Sequence, residues 1–168
     1  MISLRGLKKD DIEQLRIWRN DLYKHFRQYK PISETEQIRW YNETKDIMFA
    51  VCDNGKLIGC AGLCYIDLKN RSADLSIYIG KTYIDDRAEI AIKLLFDYGF
   101  KELGLERIYN DLFEYDILKH DMLLSCGMKV EGVARNKYYR DGQFYNAKLY
   151  SILRSEYDFG NGESVQFI

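Results

Sequence analysis

The chain has 168 residues, 46% of them hydrophobic and 30% charged, and its formal net charge is −1. This length suits one domain with its own core, and the balanced charge argues against a nucleic-acid or anionic-membrane surface as the main partner. We find neither the ~20 consecutive apolar residues of a transmembrane helix nor an apolar signal segment near the N-terminus, so we expect a cytoplasmic protein.

The first third of the chain predicts a strand and two helices. Asp10-Asp-Ile-Glu13 has the spacing of a helix N-terminus, and apolar residues follow at helical spacing. Ser33-Glu-Thr-Glu36 is a capping box that predicts the second helix. Residues 25–30 between the two helices are polar and aromatic, which predicts a loop that contacts a ligand.

A β-meander is predicted next. Residues 47–52 are apolar, residues 53–56 contain the Asn-Gly pair that is typical of a hairpin turn, and residues 57–66 form the returning strand. Ser72–Ile79 then alternates apolar and polar residues, which is the period of a half-buried strand.

Two helices that each begin at an aspartate are predicted between Ser72 and Gly127. Asp86, with Glu89 three residues on, is the expected N-cap of the first of them. Residues 107–113 form the next strand, and residues 114–116 open a helix that stops at Gly127. A helix that starts directly after a strand presents free N–H groups to an anion such as a pyrophosphate. An ordinary α/β unit without a ligand explains the same pattern.

The end of the chain predicts a hairpin, with its turn at Arg140-Asp-Gly142 and its second strand at residues 145–153. Residues 1–157 are expected to form a single domain and residues 158–168 a C-terminal tail. The four cysteines are expected to be buried free thiols. Two histidines are too few for a metal cluster, so we expect no metal site.

A family resemblance is carried by residues 98–109 (YGFKELGLERIY), 113–116 (FEYD), 125–129 (SCGMK) and 131–135 (EGVAR), together with the C-terminal hairpin. In this order the segments resemble the GNAT acetyltransferases, in the branch of ribosomal-protein N-acetyltransferases and amino-sugar (nucleotide) N-acetyltransferases. The resemblance runs from about residue 2 to residue 157. It implies an α/β (α+β) fold with a mixed, mostly antiparallel central sheet, splayed in the middle and flanked by about four helices.

The resemblance also implies an activity. The chain is expected to be an acetyl-CoA-dependent N-acetyltransferase that acts on a primary amine of a small molecule, for example an amino-sugar nucleotide, by direct attack in a ternary complex. Two alternatives stay open: a catalytically impaired, GNAT-like CoA-binding or regulatory module, and a protein N-terminal acetyltransferase.

Site residues follow from the resemblance position by position. Asp74 is the first choice for the base and Glu114 the second, and Tyr115, Tyr78 or water would protonate the leaving sulfur. The expected cofactor-binding residues are Ile77, Tyr78, Ile79, Asp85, Arg87, Ala88, Glu89, Asp116 and Lys119. The expected acceptor-binding residues are Trp18, Arg19, Asn20, Arg27 and Tyr29.

Plainer structural roles remain open for three of these groups. Asp74 could form a salt bridge with Arg71 or another cation, Trp18 could be a core residue with Arg19 and Asn20 on the helix surface, and Lys119 could be a helix-surface lysine.

Some positions depart from the family pattern. Tyr83 replaces the usual Gln or Arg at the start of the pyrophosphate loop, and Asp86 replaces its first glycine. Leu123 stands where relatives carry a general-acid tyrosine. A homodimer is a further expectation, because aromatic residues cluster on the C-terminal hairpin at Tyr138, Tyr139, Phe144 and Tyr145.

Overall fold

Seven strands form one sheet in the computed structural model, which describes residues 1–159. The strands are β1 (Ile2–Gly6), β2 (Ile47–Asp53), β3 (Lys56–Asp67), β4 (Ser72–Ile79), β5 (Arg107–Phe113), β6 (Lys129–Arg140) and β7 (Gln143–Leu153). The helices are α1 (Ile12–Asp21), α2 (Glu34–Glu43), α3 (Asp86–Asp97) and α4 (Ile117–Ser125). The strands lie in the order β1-β2-β3-β4-β5-β7-β6. The predicted order of strands and helices is confirmed.

The sheet is splayed between β4 and β5, as the family resemblance implies. These two strands are parallel and pair only at Ser72–Arg107, Ala73–Ile108 and Asp74–Tyr109, whereas all other neighbouring strands are antiparallel. Beyond Asp74 the two strands separate. We call the gap between residues 75–79 of β4 and residues 110–113 of β5 the fork.

Tight turns fix the two predicted hairpins. Asn54 and Gly55 between β2 and β3 have φ values of 48° and 79°, and Asp141 and Gly142 between β6 and β7 have 51° and 84°. Two successive positive φ values define the type I′ turn, whose twist matches that of the flanking strands.

The N-cap residue observed in the structure is the predicted one at α2 but not at α3. Ser33 and Glu36 form the predicted capping box, with the Glu36 N–H donating to Ser33 Oγ at 3.2 Å. The N-cap of α3 is Asp85, whose carboxylate accepts the Arg87 N–H at 3.0 Å. The prediction of Asp86 as the cap is therefore wrong by one residue, because Asp85 has the extended backbone that a cap needs.

The core lies between the sheet and α3. The buried face of that helix consists of Ala88, Ala91, Ile92, Leu95 and Phe96. Leu75 and Ile77, which are alternate residues of β4 and therefore lie on one face of the sheet, are buried on the side of this helix. Helices α1 and α2 cover the opposite face of β3 and β4, where Ser76 and Tyr78 share a cavity with Leu15 and Trp40. No helix in the described part of the chain is long and apolar enough to span a bilayer.

The expected C-terminal tail is described only at its start. Tyr157 and Phe159 pack edge to face with a centroid distance of 5.0 Å, and Phe159 also packs against Phe100. Residues 160–168 lie outside the described residues.

Candidate active site

Asn110 lies where the two strands of the fork separate. Its side chain is buried, and Nδ2 donates to the Leu75 carbonyl at 2.6 Å and to the Asp74 carboxylate at 2.9 Å. The backbone pairing of β4 and β5 ends at Asp74 and Tyr109, so this side chain links the strands one step beyond the last backbone pair. The vertex of the fork is therefore polar, although the strands around it are apolar.

The edge of β4 that faces the fork has one open peptide position. The Leu75 carbonyl faces the fork, as its bond to Asn110 shows, and alternate residues of a strand direct their N–H and C=O groups to the same side. Ile77 therefore presents its N–H and C=O groups to the fork. The Ile79 N–H donates instead to the Tyr83 carbonyl at 2.7 Å.

Asp74 is buried and lies beside a cation. Arg27 Nη2 lies 2.8 Å from Asp74 Oδ2, so the structural alternative of a salt bridge holds for Arg27 rather than for Arg71, which donates to the Gly104 carbonyl at 2.7 Å. Burial raises the pKa of Asp74 above its ordinary value, although the charge of Arg27 and the hydrogen bond from Asn110 act in the opposite direction. A carboxylate with a raised pKa accepts a proton more readily.

A second carboxylate shares the same guanidinium nitrogen. Arg27 Nη2 lies 2.6 Å from Asp111 Oδ1, and Asp111 also accepts hydrogen bonds from Lys137 and, at 2.7 Å, from the Tyr138 hydroxyl. Burial alone would raise the pKa of Asp111, but the Lys137 and Arg27 cations hold it below its ordinary value. Asp111 is thus ionised, and the two carboxylates form one acidic pair bridged by Arg27.

A continuous cleft leads to this acidic pair. A cavity of about 340 Å³ is lined by Asp74, Ser76 and Asp111 together with the α1–α2 loop (residues 22–33). A neighbouring cavity of about 290 Å³ shares Arg19, Cys64, Tyr65 and Ser76 with it and extends between α2 and the sheet. Together the two cavities are large enough for a small acceptor molecule.

Lys119 enters the fork from α4. Among the residues of α4, Lys119 and Leu123 are the buried ones. Lys119 lines the 340 Å³ cavity with 6% of its surface exposed, and burial lowers its pKa. The interpretation of Lys119 as a helix-surface lysine is therefore wrong. Leu123, one turn later, is fully buried in the core.

The α1–α2 loop covers the fork and is held there by several contacts. The His25 ring stacks on Tyr83 with centroids 3.8 Å apart, and the Tyr83 hydroxyl donates to the buried carboxylate of Asp116. Arg140 donates to three carbonyls of the loop, at 2.7–3.0 Å, and the Tyr115 hydroxyl donates to the Lys24 carbonyl at 2.7 Å. Asp116 and Tyr115 thus contact the loop in this structure.

The N-terminus of α3 fits an anion only in part. Arg87 lies there, but its guanidinium is held by Asp85 at 2.5 Å, and the Ala88 N–H donates to the Asp85 carbonyl at 2.8 Å. Glu89 is paired with Lys93 at 2.6 Å. The open Ile77 peptide suits the amide-bearing arm of CoA, whereas the carboxylates of Asp85 and Asp86 oppose its pyrophosphate.

The other expected site residues lie at varying distances from the cleft. Arg19 lines it and stacks over Phe26 at 5.4 Å. Asn20 instead holds the α1–α2 loop, accepting the Ile32 N–H at 2.8 Å. Tyr29 also lines the cleft, although 91% of its surface is exposed. Trp18 packs at Gly80, and Glu114 accepts from the Asn146 N–H at 2.9 Å on β7, so neither of these two lines the cleft.

Sequence reasoning missed two functional candidates, Asn110 and Asp111, and it gave His25 no role beyond its place in the loop expected to contact a ligand. Asn110 and Asp111 are the polar pair inside the otherwise largely apolar strand β5, and a polar pair at that position is a signal that could have been used. The described residues contain no group of three or more potential metal ligands.

Comparisons with known proteins identify relatives. A model of the GNAT acetyltransferase domain matches residues 4–149. A Bacillus subtilis protein named as an uncharacterized N-acetyltransferase is 31% identical over 122 residues, which are 72% of this chain and 65% of that protein. The spermidine N(1)-acetyltransferase of Escherichia coli is 24% identical over 167 residues, covering 93% of this chain and 88% of the relative.

Among solved structures, the spermidine N-acetyltransferase of Vibrio cholerae in complex with CoA and spermine is similar, with a TM-score of 0.85. The match is 24% identical and covers 92% of this chain and 96% of that one. At this identity the likeness shows the fold.

Proposed function

The chain belongs to the GNAT acetyltransferase family and is an acetyl-CoA-dependent N-acetyltransferase, and we propose that its acceptor is a small primary amine with at least one further positive charge. The observation that carries this proposal is the acidic pair, in which one nitrogen of Arg27 contacts both Asp74 and Asp111. An alkylammonium group has three donors and a compact charge, so it can make the same two contacts.

Arg27 is suited to being replaced by an acceptor. It lies on the α1–α2 loop, and 40% of its side chain is exposed, compared with 5% for Asp74 and 9% for Asp111. The relatives named as spermidine N-acetyltransferases, from Escherichia coli and Vibrio cholerae, support a polyamine as the acceptor class. In the proposed complex one ammonium of the amine binds Asp111, and the reacting nitrogen lies beside Asp74.

The reaction requires a neutral amine close to an activated acyl group. When bound, acetyl-CoA supplies the thioester, and its arm would lie along the β4 edge. Asp74 accepts the proton of the ammonium at its carboxylate, and its raised pKa favours this step. The Ile77 N–H, which faces the fork, would donate to the acyl oxygen. The guanidinium of Arg87 would balance the negative charge of the pyrophosphate once its contact with Asp85 is broken.

Self-association is a further proposal. Tyr139 and Phe144 pack edge to face at 5.0 Å and expose 64% and 58% of their surfaces. Tyr138 and Tyr145 face inward, toward Asp111 and Tyr115. The exposed pair at the hairpin tip is the part of the expected patch that remains available for a second copy.

A comparison of four acceptors tests the proposed acceptor class. We would measure kcat/KM by thiol release with spermidine, a monoamine of similar length, an amino-sugar nucleotide and a short peptide with a free N-terminus. Spermidine is expected to give the highest value, and Asp111→Asn should reduce it more for spermidine than for the monoamine. Equal values for spermidine and the monoamine would contradict the acidic-pair proposal, and preference for the nucleotide or the peptide would move the acceptor to one of the alternative classes.

A further inference from the structure

Lys119 is an unusual residue for the buried side of a helix. Lys119 lines the cavity at the fork with 6% of its surface exposed, and within the described residues it forms no ion pair. A buried cation without a close partner destabilises a fold, and such residues in a cleft are candidates for function. Helix packing alone would be served by an apolar side chain, as Leu123 shows one turn later.

Charges from every side of the fork act on Lys119. Asp116 from the start of α4, Asp74 from β4 and Asp111 from β5 attract its proton, and Arg27 from the α1–α2 loop repels it. Burial outweighs their sum, so the pKa of Lys119 lies below that of an ordinary lysine. The ammonium therefore gives up a proton more readily than a surface lysine does.

Three tyrosines around the fork, two of them the expected donors Tyr78 and Tyr115, are committed to other partners. The Tyr78 hydroxyl donates to the Leu15 carbonyl, the Tyr83 hydroxyl to Asp116 and the Tyr115 hydroxyl to the Lys24 carbonyl. Burial raises the pKa of all three, that of Tyr115 to about 12. A thiol with a pKa of ~8.5 is poorly matched to such donors. A group that holds its proton less tightly is better suited to a sulfur that leaves within the fork.

We propose that Lys119 is a catalytic residue that donates a proton to the departing CoA sulfur, an inference that rests on the proposed function. The amine nitrogen forms a bond to the thioester carbon while the carbon–sulfur bond breaks, and the electron pair goes to sulfur. The sulfur takes a proton from Lys119 Nζ. The acceptor ammonium loses two protons: the first goes to Asp74 before the attack and is released from there to solvent, and the second leaves the nitrogen after the attack and restores the Lys119 ammonium through solvent. The overall change converts one ammonium and one thioester into one amide, one thiol and one proton released to solvent.

The placement of the two groups supports this division of roles. Asp74 lies on the face of the sheet that the α1–α2 loop covers, whereas Lys119 enters from α4, and both line one cavity with Leu75 and Asn110. A base and an acid that approach one reaction centre from two sides match the needs of acyl transfer, since one proton leaves nitrogen and another joins sulfur.

Binding of CoA and of desulfo-CoA, in which hydrogen replaces the thiol, tests the proposal without turnover. Calorimetric titration across pH would be run on the wild type, Lys119→Met, Lys119→Arg and the surface control Lys93→Met. In the wild type, CoA should gain affinity over desulfo-CoA as the thiol ionises, at a pH below the ~8.5 of a free thiol. This gain should disappear in Lys119→Met and persist in Lys119→Arg and in the control.

Turnover adds an independent measurement. Lys119→Met should lower transfer by ~10²-fold or more, and Lys119→Arg should also be slow because a guanidinium holds its proton too tightly. An unchanged CoA preference in Lys119→Met, or an equal loss of affinity for both ligands, would overturn the proposal while leaving the proposed function intact. Thermal unfolding of Lys119→Met should match or exceed the wild type. No binding of CoA by the wild type would contradict both proposals.

Discussion

The guanidinium of Arg27 lies 2.8 Å from the carboxylate of Asp74. This contact joins the α1–α2 loop to the vertex of the fork, where burial and a neighbouring cation have opposite effects on one carboxylate. The pKa of Asp74 is raised because burial is the larger effect. The proposed base and the proposed acceptor site are thus coupled through one residue.

Arg27→Gln should shift the acid limb of the pH–rate profile. Loss of the cation raises the pKa of Asp74 further. The base then becomes ionised only at higher pH, so the acid limb moves to higher pH. Arg27→Lys keeps the charge and should leave the limb close to its wild-type position. The measurement is kcat/KM against pH with spermidine, and a limb that stays in place in Arg27→Gln would show that Asp74 does not control the rate.

Asp74→Asn should lower acetyl transfer by ~10²–10⁴-fold, the usual contribution of a positioned base, and should leave CoA binding intact. The loss should shrink at high pH, where more of the amine arrives neutral. Glu102→Gln, on the exposed surface, removes the same charge and is the control. Wild-type rates for Asp74→Asn across the pH range would remove Asp74 from the mechanism.

Stability gives a separate test of the environment of Asp74. Its folded pKa is above the ordinary value, so the protonated carboxyl favours the folded state, and this contribution is lost as pH rises through the folded pKa. Asp74→Asn should therefore unfold at the same or a higher urea concentration than the wild type at neutral pH. Marked destabilisation there would indicate that the Arg27 contact outweighs burial.

Asp85→Asn should strengthen CoA binding. Asparagine caps helices about as well as aspartate, so α3 should be retained while one negative charge at its N-terminus is removed and Arg87 is held less tightly. The expected gain is about 2- to 5-fold in affinity, which corresponds to ~0.4–1 kcal/mol. Calorimetric titration measures it, and Arg87→Gln should change the affinity in the opposite direction. Unchanged affinity in both variants would place the pyrophosphate elsewhere.

The Arg5–Asp11 pair gives a prediction about stability and pH. Arg5 donates two hydrogen bonds to Asp11, at 2.7 and 2.8 Å, and the Lys8 N–H donates a third at 2.7 Å. The bonds from Arg5 hold the pKa of Asp11 below its usual value, so the stability they contribute is present above the unfolded pKa and is lost as pH falls.

Asp11→Asn should lower the free energy of unfolding by about 1–3 kcal/mol at neutral pH. The difference from the wild type should shrink in acid as Asp11 becomes protonated. Urea unfolding at several pH values measures it, with the exposed Asp10→Asn as the control. A difference that stays constant down to the acid transition would contradict the assigned role of the charge.

Most of the fold could be predicted from the sequence because its elements depend on local patterns. The alternation in β4, the Asn-Gly turn before β3 and the capping box at Ser33 each lie within a few residues of chain. The one-residue error at the α3 cap arose because Asp85 and Asp86 are equivalent by residue type and differ only in backbone angles.

The site was less predictable because its contacts join distant segments. Asp74 was identified from its strand, but its partnership with Arg27 and Asp111 depends on how β5 and the α1–α2 loop meet in space. Whether Lys119 lies on the protein surface or in the fork depends on the orientation of α4, which the sequence alone does not give. Position-by-position comparison with relatives locates such residues without revealing their environment.

The most direct test of the account is a product measurement on the wild type and Asp74→Asn with acetyl-CoA and spermidine. Free thiol and acetylated amine would be quantified together, the first by a thiol reagent and the second by mass spectrometry. We expect one thiol per acetylated amine in the wild type and at least a ~10²-fold lower rate in Asp74→Asn. CoA binding by the wild type without acetylation of spermidine or any other tested amine would contradict it and would favour a GNAT-like module without turnover.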